Sequence, residues 1–249
     1  MSFEEYRIEG RNAVMEALRA GKGIDRIYVQ DGCKDGPVLS IKREAAKRDI
    51  DIRYVDKTRL DQMSESGRHQ GVIAQGGVYA YAELSDLTGA AAKKGEAPFL
   101  ILLDHVEDPH NLGAIIRTAN LAGAHGVVIP KDRSAPLTPT VMRASAGALN
   151  YTPVARVNNL NRAMEDLKKE GMWFVCADMD GTRMYDLDLT GPIGLVIGNE
   201  GSGVSRLVKE NCDMVAAIPM RGDIDSLNAS VAAGVLAFEI VRQRMGKTG

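Results

Sequence analysis

Between Pro192 and Arg242, groups that could bind and orient a ligand recur at short spacing. Gly198, Gly201 and Gly203 enclose Asn199, Glu200 and Ser202, directly after the apolar run Ile193 to Ile197. A second apolar run ends at Ile218-Pro219-Met220, and Ser226-Leu227-Asn228 opens a third segment. Glycine permits positive φ and lets a ligand approach the main chain closely. These groups meet only if the elements carrying them end in one place. Ile193 to Ile197 is short, apolar and bounded by glycines, so it reads as a buried strand. Val215 to Ile218 reads as a second, closed by Pro219, which has no N–H for a ladder. Asp225 and Ser226 suit a helix N-cap. The helix they open, through Val231, Val235, Phe238 and Val241, is apolar nearly all round and should be buried. Two strand ends and a helix N-terminus would then deliver glycines, a carboxylate, a serine and an asparagine together, where open α/β sheets bind ligands.

The pieces Ile197-Gly198-Asn199-Glu200-Gly201-Ser202-Gly203, Ile218-Pro219-Met220 and Ser226-Leu227-Asn228 resemble, in this order, motifs two and three of the SpoU (TrmH-like, SPOUT superfamily) RNA ribose 2'-O-methyltransferases. Asp104-His105-Val106-Glu107-Asp108-Pro109-His110-Asn111-Leu112-Gly113, continuing to Arg117-Thr118-Ala119, resembles motif one. Ile8 to Val14 and Arg68 to Val72 resemble the N-terminal substrate-binding domain of the bacterial rRNA enzymes, which is similar to the L30e ribosomal-protein fold. Lys131-Asp132-Arg133-Ser134-Ala135 is shared with the 23S rRNA guanosine-2'-O-methyltransferase branch. The resemblance runs from Ile8 to Gln243. It implies S-adenosylmethionine as cofactor, 23S rRNA as partner, a homodimer, and a C-terminal domain with a deep trefoil knot, a rare topology.

For the site, the resemblance implies that the adenosine part lies against main chain around Ile197, Gly198, Ile218, Met220 and Leu227. Apolar types suffice there, because their side chains can pack in the core while the backbone binds. It places Asn111, Arg117, Glu200, Ser226 and Asn228 at the reacting centre. Arg117 would grip the target ribose and its phosphate, since a guanidinium forks onto phosphate oxygens. Glu200 and Asn111 would brace Arg117 or the loop, while Ser226 and Asn228 hold the third motif. In the family the matching arginine is proposed as the base for the hydroxyl proton. Arginine keeps its proton in proteins, so Arg117 is expected to act by charge instead. Without the resemblance, Asn111 and Ser226 read as helix caps and Glu200 as a turn residue.

The wider chain sets limits. Hydrophobic residues make up 45% and charged residues 26% of the sequence, ordinary for a globular protein. No run approaches eighteen apolar residues, the acidic N-terminus is not a secretory signal, and a cytoplasmic protein is expected. Cys33, Cys176 and Cys212 form no C-x-x-C, and His69, His105, His110 and His125 have no ligand spacing, so no metal is assigned. The net charge of −2 argues against a global basic field for nucleic acid. Residues 1–78 hold 14 Lys+Arg against 13 Asp+Glu, or +1; the remainder holds 17 against 20, or −3. RNA binding would depend on local clusters, such as Lys42-Arg43 with Lys47-Arg48, and Arg53, Lys57, Arg59 and Arg68, each of which also reads as a solvated face.

The elements fall into an α/β plan with two domains. Residues 1–78 alternate helix (Asn12 to Ala20, stopped by Gly21 and Gly23), strand (Ile24 to Gln30), helix (Val38 to Arg48), strand (Ile52 to Val55), helix (Lys57 to Met63, capped by Asp56) and strand (Gly71 to Ala74). His69 in this part reads as an ordinary surface histidine. Residues 79–97 read as a linker with at most one helical turn near Leu84 to Ala92. From Pro98 to Gly249 the strands Phe99 to Leu103, Gly126 to Ile129, Val154 to Val157 and Trp173 to Ala177 alternate with helices, the pattern of a parallel sheet. The helices begin after Asn111, span Leu137 to Leu149, and follow the cap Asn159. Gly246-Lys247-Thr248 imitates a P-loop end but lacks the strand and first glycine. Gly198-x-x-Gly201-x-Gly203 lacks the dinucleotide order. Asn228-Ala-Ser230 fits a glycosylation acceptor only on a surface. A tRNA 2'-O-methyltransferase and a non-catalytic RNA-binding relative are the other functional readings.

Overall fold

The computed structural model describes residues 3–20, 23–48, 50–223 and 226–246. Gly21, Asp225, Lys247 and Thr248, which the sequence reading used, lie outside them. The chain divides into two compact units, one up to Ala80 with Pro136–Thr140, the other comprising Tyr81–Ala135 and the chain from Val141.

The first unit contains β1 (Phe3–Glu9), α1 (Arg11–Arg19), β2 (Ile24–Gln30), α2 (Gly36–Lys47), β3 (Asp51–Val55), α3 (Lys57–Met63) and β4 (Val72–Tyr79). Its sheet runs β1-β4-β2-β3, with β4 antiparallel to both neighbours and β2 parallel to β3. Strand alternation assigns the two faces. Ile27, Val29, Val72 and Ala74 pack with Val14, Leu18, Val38 and Ile41 of α1 and α2. Ile73 packs with Leu60 and Met63 of α3, on the other side. β1 was not foreseen. It is an edge strand, where charged residues such as Glu9 and Arg7 are tolerated, so its pattern carries no clear alternation.

The second unit contains α4 (Leu84–Lys94), β5 (Phe99–Leu103), α5 (Pro109–Leu121), β6 (Gly126–Pro130), most of α6 (Pro139–Ala144), β7 (Val154–Val157), α7 (Leu160–Lys169), β8 (Trp173–Arg183), β9 (Ile193–Ile197), α8 (Arg206–Glu210), β10 (Met214–Ala217) and α9 (Ala229–Gly246). The sheet order is β10-β8-β9-β5-β6-β7, and every neighbouring pair is parallel. Every residue of β5 and β9 is buried, as strands covered on both faces must be. Asn159 caps α7 by accepting from the Arg162 N–H at 3.0 Å.

Three expectations are corrected here. The stretch read as a linker with one helical turn holds α4, whose Leu87 and Ala91 are fully buried. Leu87 belongs to the same core cluster as Leu100, Leu102 and Phe174. Gly126 makes room for it, because a Cβ there would lie 2.4 Å from Leu87 Cγ. The helix expected from Leu137 to Leu149 is instead short α6 and a 3-10 turn, Ala148–Asn150. Finally, α9 is not buried all round. Ala233, Leu236, Ala237 and Ile240 face inward, whereas Val231 and Phe238 are each 49% exposed.

Candidate active site

The site grows from an irregularity in β8. Met214 and Val215 of β10 pair with Val175 and Cys176, but Ala216 and Ala217 pair with Thr182 and Arg183. Residues 177–181 therefore bulge out of the ladder, and bulges of this kind redirect side chains beside functional sites. Gly181 allows the chain to return, since a Cβ there would lie 2.5 Å from the Val215 carbonyl oxygen. Ala177, Asp178, Met179 and Asp180 thus form one wall of a cleft of about 350 Å³. The loop after β9 and the segment after β10 form the others, through Ile197, Gly198, Glu200, Ile218, Met220, Ser226 and Leu227.

All five residues expected to bind cofactor line this cleft. Gly198 must be glycine: an added Cβ would sit 2.1 Å from Gly203 C and 2.3 Å from Val204 N. The turn that folds back over it is closed by Asn199 and Gly203, which exchange N–H···O=C bonds at 3.0 and 2.8 Å. Asn199 then uses both ends of its carboxamide. Its Oδ1 accepts from Gly201 N–H at 2.9 Å, and its Nδ2 donates to the His105 carbonyl at 3.1 Å. Asp104, 3% exposed, accepts from the Ser205 N–H at 2.7 Å and ties the far end of the loop to β5. Asn199 and Asp104 lie within the motifs, but their spacing alone assigns them no role.

Glu200 links this loop to two helices. Its Oε1 accepts from Asn111 Nδ2 at 2.9 Å and also from Asn228 Nδ2. Asn228 Nδ2 donates in turn to Asn111 Oδ1 at 3.0 Å. Asn111, in the first turn of α5, is buried. Asn228 is also the N-cap of α9, its Oδ1 accepting from Ser230 and Val231 N–H at 2.9 and 3.3 Å. The expected cap at Asp225 or Ser226 is thereby corrected: α9 starts at Ala229, and Ser226 is an exposed residue of the cleft wall. Asn111 is likewise not the cap of α5; Asp108 accepts from the His110 N–H at 3.0 Å.

Arg117 stands apart. It is exposed on α5, and its side chain makes no hydrogen bond or ion pair with any described residue. Six residues of helix, a rise of about 9 Å, separate it from Asn111. Asn111 and Glu200 therefore brace the loop and α9, and not Arg117. Of the five polar residues, three form one bonded network, Ser226 lines the cleft, and Arg117 projects free toward solvent.

The bulge adds groups that sequence reading missed, because only the break in pairing turns Asp178 toward the cleft. Burial would raise the Asp178 carboxyl, but Lys209 Nζ at 2.6 Å and the Asp180 N–H at 3.1 Å hold it below the usual range. The same contact with Asp178 raises Lys209. Met220 and Leu227, 39% and 36% exposed, present apolar surface to the cleft. A flat apolar ring with a polar tail fits such a lining: the Gly198 main chain, two apolar side chains, and the carboxylates of Asp178, Asp180 and Glu200. Among the described residues no group of His, Cys, Asp and Glu could hold a metal ion, and no helix is long and apolar enough to cross a membrane.

The chain is similar to known proteins over most of its length. Residues 98–238 match the SpoU rRNA Methylase family, and residues 7–82 match the family of RNA 2'-O ribose methyltransferase substrate binding domains. The chain is 47% identical, over 98% of each sequence, to a putative TrmH family tRNA/rRNA methyltransferase, YacO, of Bacillus subtilis (strain 168). It superposes on the SpoU methyltransferase AviRb of Streptomyces viridochromogenes, solved with its cofactor AdoMet, with a TM-score of 0.63 at 25% identity, covering 97% of this chain and 91% of that one. An AdoMet-bound rRNA methyltransferase from Sinorhizobium meliloti aligns with a TM-score of 0.61 at 26% identity, over 96% and 87% of the two chains.

Proposed function

The chain belongs to the SpoU rRNA methylase family, and from that premise we propose that it transfers a methyl group to the ribose 2'-hydroxyl of a guanosine in 23S rRNA. Its cofactor is S-adenosylmethionine, which supplies a methyl group on a positively charged sulfur. The observation that carries the reading is the convergence of motifs two and three on one cleft, with Asn111 of motif one bonded to Glu200 and Asn228 beside it.

The residues divide the work by position. Ile197, Gly198, Ile218, Met220 and Leu227, all on the cleft wall, would hold the adenosine part. The carboxylates of Asp180 and Glu200 favour a cationic ligand over a neutral one, while Asp178 is already paired with Lys209. Arg117, unpaired and exposed, is free to fork onto the ribose and its phosphate and to stabilise the developing alkoxide. The new O–C bond forms as the S–C bond breaks, and the hydroxyl proton leaves to water. Holding hydroxyl and methyl in line is the main contribution, worth up to roughly 7–11 kcal/mol in well-oriented reactions.

The finer assignments belong to the same proposal. Residues 1–78 would recognise the RNA, and residues 98–249 would carry out transfer. The trefoil knot is supported by the course of the chain. After β9 the chain runs to the sheet edge at β10, then returns so that α9 packs on α5 and β9. Val231 and Phe238, seven residues apart on the outward face of α9, support a homodimer through this helix. Because relatives are named for tRNA and rRNA together, tRNA is the competing substrate. Mapping ribose methylation in rRNA and tRNA from cells with and without the gene decides between them. One lost 2'-O-methylguanosine in 23S rRNA is expected, and a lost tRNA mark with intact rRNA would overturn the choice.

A further inference from the structure

The first unit carries many basic residues, and their engagement differs from place to place. On α2, Glu44 accepts from Lys47 at 3.3 Å and from Arg48 at 3.0 Å, while Lys42 Nζ lies 4.5 Å from the Tyr54 ring centre. Arg26 and Arg53 each donate to Asp51 at 2.9 Å. Two of the four cations of the α2 cluster, Lys47 and Arg48, thus share one carboxylate. Lys34, Lys57 and Arg68 are exposed, and their side chains make no hydrogen bond or ion pair with any described residue. Arg19, Arg43 and Arg59 are free too, but they do not line or adjoin the cleft described next.

That cleft, about 780 Å³, opens where β1 and β2 end and β4 begins. Lys57 lines it, Arg68 lies between the lining residues Gly67 and His69, and Lys34 follows the lining residue Cys33. The volume lies within the roughly 300–1,000 Å³ of small-ligand sites. Its floor is rigid. His69, 5% exposed, pairs with Asp61 at 2.9 Å through Nε2 and accepts from the Gly71 N–H at 3.0 Å through Nδ1. Gln70, held at φ 50°, anchors Arg11, whose backbone N–H donates to its Oε1 at 3.2 Å and whose Nε donates to its carbonyl at 2.9 Å. Gly71 keeps the centre open, since a Cβ there would lie 3.3 Å from Cys33 Sγ and 3.4 Å from Gln30 Oε1. The one aromatic ring among the described lining residues is the His69 imidazole, held by Asp61 and Gly71, so a base inside would be read mainly by polar groups.

We propose that this cleft takes one unstacked nucleotide of single-stranded RNA, with Lys34, Lys57 and Arg68 on the flanking phosphates and the Gln30 carboxamide on the base edge. This rests on the reading of the protein as an RNA methyltransferase, and names the surface by which the first unit engages its substrate. Sequence-selective RNA recognition takes splayed-out bases, because the A-form major groove is too deep and narrow for side chains. Free cations beside a polar, open cleft suit that ligand better than cations that share a carboxylate.

The test measures binding of the full chain to in vitro transcribed 23S rRNA across a salt series, with single-stranded and duplex RNA oligomers as competitors. The triple variant Lys34→Ala, Lys57→Ala, Arg68→Ala should weaken binding by roughly tenfold or more and lower the salt slope by about 2, at roughly 0.7 per phosphate contact. Lys47→Ala, Arg48→Ala should stay within about twofold of wild type, because both cations already share Glu44. Gln30→Ala should weaken binding without changing the slope, single strands should compete better than duplexes, and donor binding should be unaffected throughout. Loss of affinity in the α2 variant with none in the cleft variant would overturn the proposal, as would equal competition by duplex. If wild type methylates rRNA yet the cleft variant binds like wild type, the cleft proposal fails alone. If binding depends on the cleft but no methyl reaches ribose, the functional reading fails and the cleft stands.

Discussion

Asn228 Nδ2 lies 3.0 Å from Asn111 Oδ1, joining the start of α9 to the first turn of α5 across 117 residues of chain. The same carboxamide caps α9 through Oδ1 and donates to Glu200, so one side chain sets helix start and loop position together. Asn228→Asp keeps the capping acceptor but replaces the donor with a second carboxylate facing Glu200. Like charges that close raise one carboxyl above its usual range. Methyl transfer by Asn228→Asp should therefore be impaired in alkaline buffer and partly recover as acid protonates the pair. Asn228→Ala should lose stability by about 1 kcal/mol from the cap and show no such recovery. Rate against pH for both variants checks this; an Asp variant as active as wild type in alkaline buffer contradicts it.

Leu87 of α4 is fully buried in the core of the second unit, so the catalytic fragment has a defined beginning. A chain starting at Tyr81 should fold and bind S-adenosylmethionine. A chain starting at Pro98 lacks α4, and losing a buried leucine alone costs about 2–5 kcal/mol. Thermal unfolding of both fragments, with and without cofactor, compares them. Equal midpoints would show that α4 is dispensable.

What the sequence disclosed follows from the physics of each segment. Continuous apolar runs at Phe99–Leu103 and Ile193–Ile197 could only be buried strands, and their bounds coincide with the structure. Asp56 and Asn159 announced helix starts because capping is local chemistry. α4 escaped because its buried face is one leucine and small residues such as Ala91, too weak a pattern to separate from a linker. The bulge of β8 escaped because it is a mismatch with β10, a partner more than thirty residues on, so Asp178 and Met179 carried no local signal. The motifs named Asn111, Glu200 and Asn228 together, but that they bond to each other and leave Arg117 free is a fact of packing alone.

Val231 and Phe238 expose apolar surface along the outward face of α9. If a second copy covers that face, Phe238→Glu should convert a dimer to a monomer at micromolar protein while leaving the helix folded, since the position faces away from the core. Sedimentation and circular dichroism report the two properties. A wild type that sediments as a monomer would remove the dimer from the proposal.

Glu9 is held at about 2 rather than 4.5. Burial pushes it up, but the Ser64 and Ser66 hydroxyls and the Glu65 and Ser66 N–H groups outweigh that. A depressed carboxyl stabilises the fold fully above its unfolded value and loses that contribution as pH falls through the folded one. The window here runs from about 4.5 down to about 2. Glu9→Gln should cost on the order of 1 kcal/mol at neutral pH, allowing for screening of a partly exposed group, and its deficit should close across that window. Urea unfolding at several pH values measures it; a deficit constant with pH means the carboxylate is not responsible. Because these bonds hold the turn just before Arg68, the same variant should also weaken RNA binding.

Arg117 is exposed and unpaired among the described residues, so replacing it should leave stability and cofactor binding unchanged. A guanidinium keeps its proton in proteins and offers two parallel donors to a phosphate. Its contribution is then charge and geometry: it clamps the phosphate, orients the ribose and stabilises the alkoxide, while the proton departs through water. Arg117→Lys retains the cation but loses the fork. Single-turnover transfer should fall strongly in Arg117→Lys and further in Arg117→Ala, with calorimetric affinity for S-adenosylmethionine the same in all three proteins. The pH profile separates charge from base catalysis. An electrostatic clamp leaves the lysine variant slow at every pH below the point where its ammonium deprotonates, and slower still above it. A base does the reverse, because a neutral amine accepts the proton that the guanidinium could not. Recovery of wild-type rates by Arg117→Lys in alkaline buffer would make the side chain at this position the base and overturn the electrostatic reading.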